Sequence, residues 1–134
     1  PILTHVAIAT WVKMGNRAII ITGRKSTLIK RRSDELKLDG YFEGVKNKLE
    51  CLNSYLTQNN ISLDEVAAIG DDLNDYKLLR EVGISYTPND GALHVKQIVN
   101  NTLTCKGGDG AVREMIEDIC IKDNQMENFL AQWL

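Results

Sequence analysis

The sequence predicts one α/β domain, a mainly parallel sheet with helices on both faces, and three observations lead there. Its 134 residues fit a single hydrophobic core, so residues 1–134 are read as one domain. Hydrophobic residues at 43% and charged residues at 25% are ordinary for a folded globular chain, which excludes wholesale disorder and fibrous repeats. Short apolar runs alternate with amphipathic stretches of helical length, the pattern of parallel strands joined by helical crossovers.

In the opening segment Val6, Ile8, Thr10 and Val12 alternate like a strand, whereas Ala7, Trp11 and Met14 fit a helical face ending at Gly15-Asn16; helix is the favoured reading. Strands are predicted at Arg17–Ile21, Val66–Ile69, Ile84–Thr87 and Thr102–Cys105, with a weaker one at Tyr41–Phe42. Ser26 is expected to cap a helix through about Leu36, with Leu28, Ile29, Arg32 and Leu36 on one face. The next helix spans Lys46 to about Gln58 along a stripe of Leu49, Leu52, Tyr55 and Leu56, and Asn59-Asn60 suits its stop. Ser62-Leu63-Asp64-Glu65 matches a capping box but leads into a β-branched, alanine-rich run, so it predicts a turn. Asn74 is expected to cap a helix through Val82, ended by Gly83 at a position where positive φ is cheapest. Further helices are predicted at Ala92–Val99, Ala111–Ile121 and Gln125–Leu134.

Sixteen Lys and Arg against eighteen Asp and Glu give a net charge of −2, which supplies no broad cationic surface for a phosphate backbone; a nucleic-acid partner is not expected. No apolar run approaches the roughly 20 residues of a membrane span, so no membrane partner is expected either. Cys51, Cys105 and Cys120 are an odd number without metal-site spacing, which predicts reduced thiols in a cytoplasmic protein.

Three local patterns carry chemistry. The strand ending Ala67-Ala68-Ile69 runs into Gly70-Asp71-Asp72-Leu73-Asn74-Asp75, three carboxylates within five residues at the carboxyl edge where open α/β sheets bind ligands. Such a cluster repels itself unless a cation sits in it, and oxygen-only ligands suit Mg²⁺. The plain alternative is that Asp72 and Asp75 are turn and cap residues. In the second pattern, Ile19-Ile20-Ile21 feeds Thr22-Gly23-Arg24-Lys25-Ser26, where a hydroxyl, free N–H groups and positive charge converge as in a phosphate cradle. The third is Lys48 at a helix start, where a cation opposes the helix dipole and is a costly choice for a purely structural residue. His5 and His94 lie in none of these patterns, and no catalytic histidine is expected.

Thr22, Lys48 and Gly70-Asp71-Asp72-Leu73-Asn74-Asp75, in that order, resemble motifs two, three and four of the haloacid dehalogenase superfamily of phosphatases. With the late Lys106-Gly107-Gly108-Asp109-Gly110-Ala111-Val112-Arg113-Glu114 they look like its capless branch. That branch is typified by 3-deoxy-D-manno-octulosonate 8-phosphate phosphatase and is related to the C-terminal domain of acylneuraminate cytidylyltransferases. The resemblance implies a Rossmann-like fold without a cap domain and a Mg²⁺-dependent phosphatase acting on a small phosphorylated sugar acid through an aspartyl-phosphate. It implies that Asp71 binds Mg²⁺, that Asp75 supports the metal site, that Thr22 bonds the phosphoryl group, and that Lys48 neutralises its charge. By the same resemblance Gly23, Arg24, Gly107 and Gly108 contact substrate, Arg113 lies near the glycine-rich segment, and the assembly is a homotetramer in which that segment closes an active site.

The superfamily's first motif, Asp-x-Asp, occurs nowhere in the 134 residues. The resemblance places it on a central strand between those of motifs two and four. The expectation is therefore an N-terminally incomplete domain lacking its first strand and nucleophile. The competing expectation is a non-catalytic assembly domain like that of the cytidylyltransferases. A receiver-like domain is weaker, because its acid pair and spacing are not seen.

Overall fold

The computed structural model describes residues 11–108 and 110–132. The opening segment is helical over residues 11–13 and turns at Gly15, which holds φ +90°. The rest of that segment, with Val6, Ala7, Ile8 and His5, lies outside the described residues, as does the end of the helix predicted to Leu134.

Among the described residues five short strands form, all paired in parallel. Strands β1 (Ile19–Ile21) and β2 (Gly40–Phe42) make one pair, in the register Ile19 to Gly40. Strands β3 (Ala67–Ile69), β4 (Ile84–Thr87) and β5 (Asn101–Thr102) make a three-stranded sheet. Among the described residues no hydrogen bond joins β1 to β3, so each has one strand partner only. The two sheets nevertheless share a core: Ile19 and Ile21 of the first and Val66 and Ala68 by the second pack on the same cluster of Leu52, Leu56, Leu78, Leu79 and Val95.

Among the described residues six helices of four residues or more follow residue 26: α1 (Thr27–Glu35), α2 (Lys48–Gln58), α3 (Tyr76–Glu81), α4 (Leu93–Lys96), α5 (Ala111–Lys122) and α6 (Met126–Ala131). Helices α2, α3 and α4 cover one face, while α5 covers the other through Ile119 and Ala111 against Tyr86, Ala67 and Ile69. β3 shows the strand period in its neighbours, since Val66 and Ala68 meet one cluster and Ala67 and Ile69 the other. Phe129 of α6 extends the second layer by packing with Ile116 and Cys120.

Ser26 caps α1 as expected, accepting from the Ile29 N–H at 3.2 Å. The predicted apolar face of α1 is wrong, however. Leu28 is 59% exposed and Ile29 37%, and the buried residue is Ser33. Of its nine residues only Leu28 and Ile29 are apolar, too few to make a buried apolar stripe where the helix packs on β2. Helix α2 keeps its predicted stripe but begins two residues later, because Asn47 is its cap. Asn74 caps nothing: Asp72 accepts from the Leu73 N–H, and Leu73–Asp75 forms a 3₁₀ turn before α3. Gly83 does not adopt positive φ; Val82 is already extended, and a Cβ at Gly83 would stand 2.1 Å from the Asp64 carbonyl. Close approach, not handedness, requires that glycine. Strand β5 is shorter than predicted because the amides of Thr104 and Cys105 turn away to the Glu114 carboxylate.

Candidate active site

The acidic loop follows β3, whose last N–H groups enter a ladder with β4, the Gly70 N–H donating to the Tyr86 carbonyl at 3.2 Å. The three carboxylates of the loop do not converge. Asp75 turns back over Gly70 and accepts the N–H of Asp71 at 3.1 Å and of Asp72 at 3.3 Å through Oδ2. Its Oδ1 pairs with Lys48 Nζ at 2.6 Å. The Asp72 carboxylate caps the following turn. Only Asp71 has no side-chain hydrogen bond or ion pair among the described residues, and it is exposed. The expectation of a self-repelling carboxylate cluster is thereby corrected: local N–H groups and one lysine neutralise two of the three acids. Among the described residues no group of three His, Cys, Asp or Glu side chains is arranged to hold a metal ion.

Gly70 is what permits this geometry. A Cβ there would stand 2.6 Å from Asp75 Cβ and 2.8 Å from its Oδ2, so any side chain would push Asp75 off both amides and off Lys48.

Lys48 occupies the first turn of α2, where the dipole disfavours it, and Asp75 offsets that cost. The two side chains are only 12% and 13% exposed, so solvent screens the pair little. It ties the helix after β2 to the loop after β3 and thus links the two sheets at their carboxyl edge.

The loop after β1 is held by backbone. Thr22 donates its N–H to the Phe42 carbonyl at 2.9 Å and accepts the Val45 N–H at 3.0 Å, while the Arg24 carbonyl accepts the Gly44 N–H at 3.2 Å. Thr22 Oγ1 accepts the Arg24 N–H at 3.1 Å, which leaves the hydroxyl proton free to donate outward. Arg24 is exposed, with no side-chain partner among the described residues; Gly23 is exposed beside it. Thr22 and Arg24 make no hydrogen bond to the Lys48–Asp75 pair.

The glycine-rich segment leaves β5 on the far side of β4. Gly107 donates its N–H to Asp90 Oδ1 at 2.8 Å. Gly108 holds φ +86° with no atom within 4 Å of where a Cβ would stand. Gly110, at φ +94°, is the N-cap of α5. Arg113 pairs with Glu117 at 2.9 Å, one turn along its own helix. Glu114 anchors the segment's root. Burial pushes its carboxyl up, but the N–H groups of Thr104 and Cys105 outweigh that and hold it below the usual carboxylate range.

Sequence reasoning missed Asp90. The signal was present in Pro88-Asn89-Asp90-Gly91, a turn signature directly after a strand, containing one of only two prolines in the chain. His94 sits exposed on α4, away from these contacts.

The 3-deoxy-D-manno-octulosonate 8-phosphate phosphatase of Yersinia pestis is 32% identical over 108 residues, covering 81% of this chain. The chain spans 58% of that relative's length. The crystal structure of the phosphatase of the same name from Moraxella catarrhalis, in complex with magnesium ion, phosphate ion and KDO, superposes with a TM-score of 0.95 at 32% identity, covering 99% of this chain and 76% of that one. The cobalt-bound enzyme from Haemophilus influenzae gives 0.86 at 27% identity over 90% of this chain and 70% of its own. The α/β architecture is therefore that of these phosphatases. Residues 44–116, more than half of the sequence, match the haloacid dehalogenase-like hydrolases, and the chain belongs to that family.

Proposed function

We propose that the complete protein is a Mg²⁺-dependent phosphatase of a phosphorylated sugar acid of the 3-deoxy-D-manno-octulosonate 8-phosphate class. One observation carries the reading: Asp75 is engaged by Lys48 and two amides, Asp72 by a cap, and Asp71 alone presents uncommitted oxygens at the carboxyl edge of the sheet. A hard oxygen donor in that place fits Mg²⁺, and Asp71 would hold it together with ligands beyond the described residues. The ion would offset charge on the phosphoryl oxygens when bound. The substrate class is supported by the phosphatases to which the chain is similar.

In this reading the Thr22 hydroxyl donates to the transferring phosphoryl group, and Lys48, held in place by Asp75, balances its negative charge. Arg24 and Gly23 on one side and Gly107 and Gly108 on the other meet the sugar acid. These are positioning and electrostatic roles, from which phosphoryl transfer draws most of its acceleration. With no Asp-x-Asp in the 134 residues, the carboxylate that forms the aspartyl-phosphate and its acid/base partner belong to chain beyond them. The protein is read as cytoplasmic and homotetrameric.

The missing motif also favours a second reading, a non-catalytic assembly domain. Phosphate release from 3-deoxy-D-manno-octulosonate 8-phosphate with Mg²⁺ separates the two. The complete protein should turn over and lose about a thousandfold in Asp71→Asn, while residues 1–134 alone should release none. A complete protein without turnover would select the assembly reading.

A further inference from the structure

We infer that the loop of residues 88–92 sets the spacing between the acidic loop and the glycine-rich segment, with Asp90 as its positioning residue. The inference rests on the phosphatase reading, which takes Gly107 and Gly108 as substrate contacts.

The loop touches both flanks of the candidate site. Toward the acidic loop, the Ala92 N–H donates to the Asp71 carbonyl at 2.8 Å. Toward the glycine-rich segment, the Asn89 N–H donates to the Cys105 carbonyl at 2.8 Å, and Asp90 Oδ1 accepts the Gly107 N–H at 2.8 Å. Two of these bonds are backbone to backbone; the third depends on one side chain. Between them the loop is compact. Gly91 donates to the Pro88 carbonyl at 3.0 Å, and a Cβ on Gly91 would stand 2.1 Å from Thr87 Oγ1. Thr87 is fully buried, and its hydroxyl has no partner among the described residues. The turn is thus pressed closely onto the end of β4.

Among the described residues Asp90 is the last side-chain tether before Gly108. Beyond it, neither Gly108 nor Gly110 has an atom within 4 Å of a would-be Cβ. Removing the tether frees the entry to the segment but leaves Lys48, Asp71 and Asp75 in place. Substrate capture should suffer more than the chemical step.

The test uses the complete protein with Asp90→Ala and Asp90→Asn, reading hydrogen exchange at the Gly107 amide without substrate, and KM and kcat with it. Asp90→Ala should speed exchange and raise KM, each by about tenfold, with kcat within about threefold; Asp90→Asn, which keeps the acceptor oxygen, should stay near wild type. Unchanged exchange in Asp90→Ala would remove the tether. Faster exchange with unchanged KM, or a loss confined to kcat, would show that the tether does not position substrate. A wild type without phosphate release would overturn the phosphatase reading and the substrate half of the inference, while exchange would still decide the tether.

Discussion

The acidic loop after β3 and the glycine-rich segment after β5 leave the same sheet at the same edge, yet they are fixed by opposite means. In the first, a mostly buried ion pair, two amides and a side-chain cap engage every acid but Asp71. In the second, Glu114 and Asp90 hold the root, and Gly108 and Gly110 stand in open space at positive φ. Charges that must meet a phosphoryl group gain from being set before substrate arrives, because no reorganisation is then needed at the moment of reaction. In the proposed phosphatase, a segment that meets the sugar acid only after it binds gains from slack.

Lys48→Met should have the largest effect. It leaves the Asp75 carboxylate mostly buried and unpaired, which costs about 3 kcal/mol of stability, visible in urea unfolding of the complete protein. Phosphate release should fall with it by about a thousandfold. A cost near zero would mean that the acidic loop is no better fixed than the glycine-rich one. Gly70→Ala should come next, at about 2 kcal/mol, because its methyl group meets Asp75 rather than space. Gly108→Ala adds only backbone strain and should cost about 1 kcal/mol. The order Gly70 before Gly108 is the comparison in its simplest form, and equal costs would break it.

The smallest effect concerns pH. Glu114 is held below its ordinary pKa in the folded protein, so it contributes stability above the ordinary carboxylate value, and that contribution is lost as pH falls through the folded value. Unfolding midpoints of wild type and Glu114→Gln should therefore differ at neutral pH and converge in acid. A constant difference would sever Glu114 from the amides of Thr104 and Cys105.

Much of this was legible in the sequence because it depends on local pattern. Four β-branched or alanine-rich runs and a Leu–Tyr stripe give the strands and α2, and the order of Thr22, Lys48 and Asp71 gives the family. Other features depend on distance. That Asp75 faces Lys48, 27 residues away, is a tertiary fact, and it reverses the meaning of three adjacent acids. The buried side of α1 was lost for a similar reason, since the residue buried there is Ser33, which hydrophobicity does not mark. Gly83 reads as a helix stop at positive φ, but its need for glycine comes from the Asp64 carbonyl, and that of Gly91 comes from the Thr87 hydroxyl.

The central claim is that Asp71 alone, of the three acids, is free for a cation. Calorimetric titration of Mg²⁺ into the complete protein, Asp71→Asn and Asp72→Asn tests it directly. Asp71→Asn should weaken binding by about tenfold or more, while Asp72→Asn, which changes only a turn cap, should bind within about twofold of wild type. Equal losses in the two variants, or unchanged affinity in Asp71→Asn, would contradict the account.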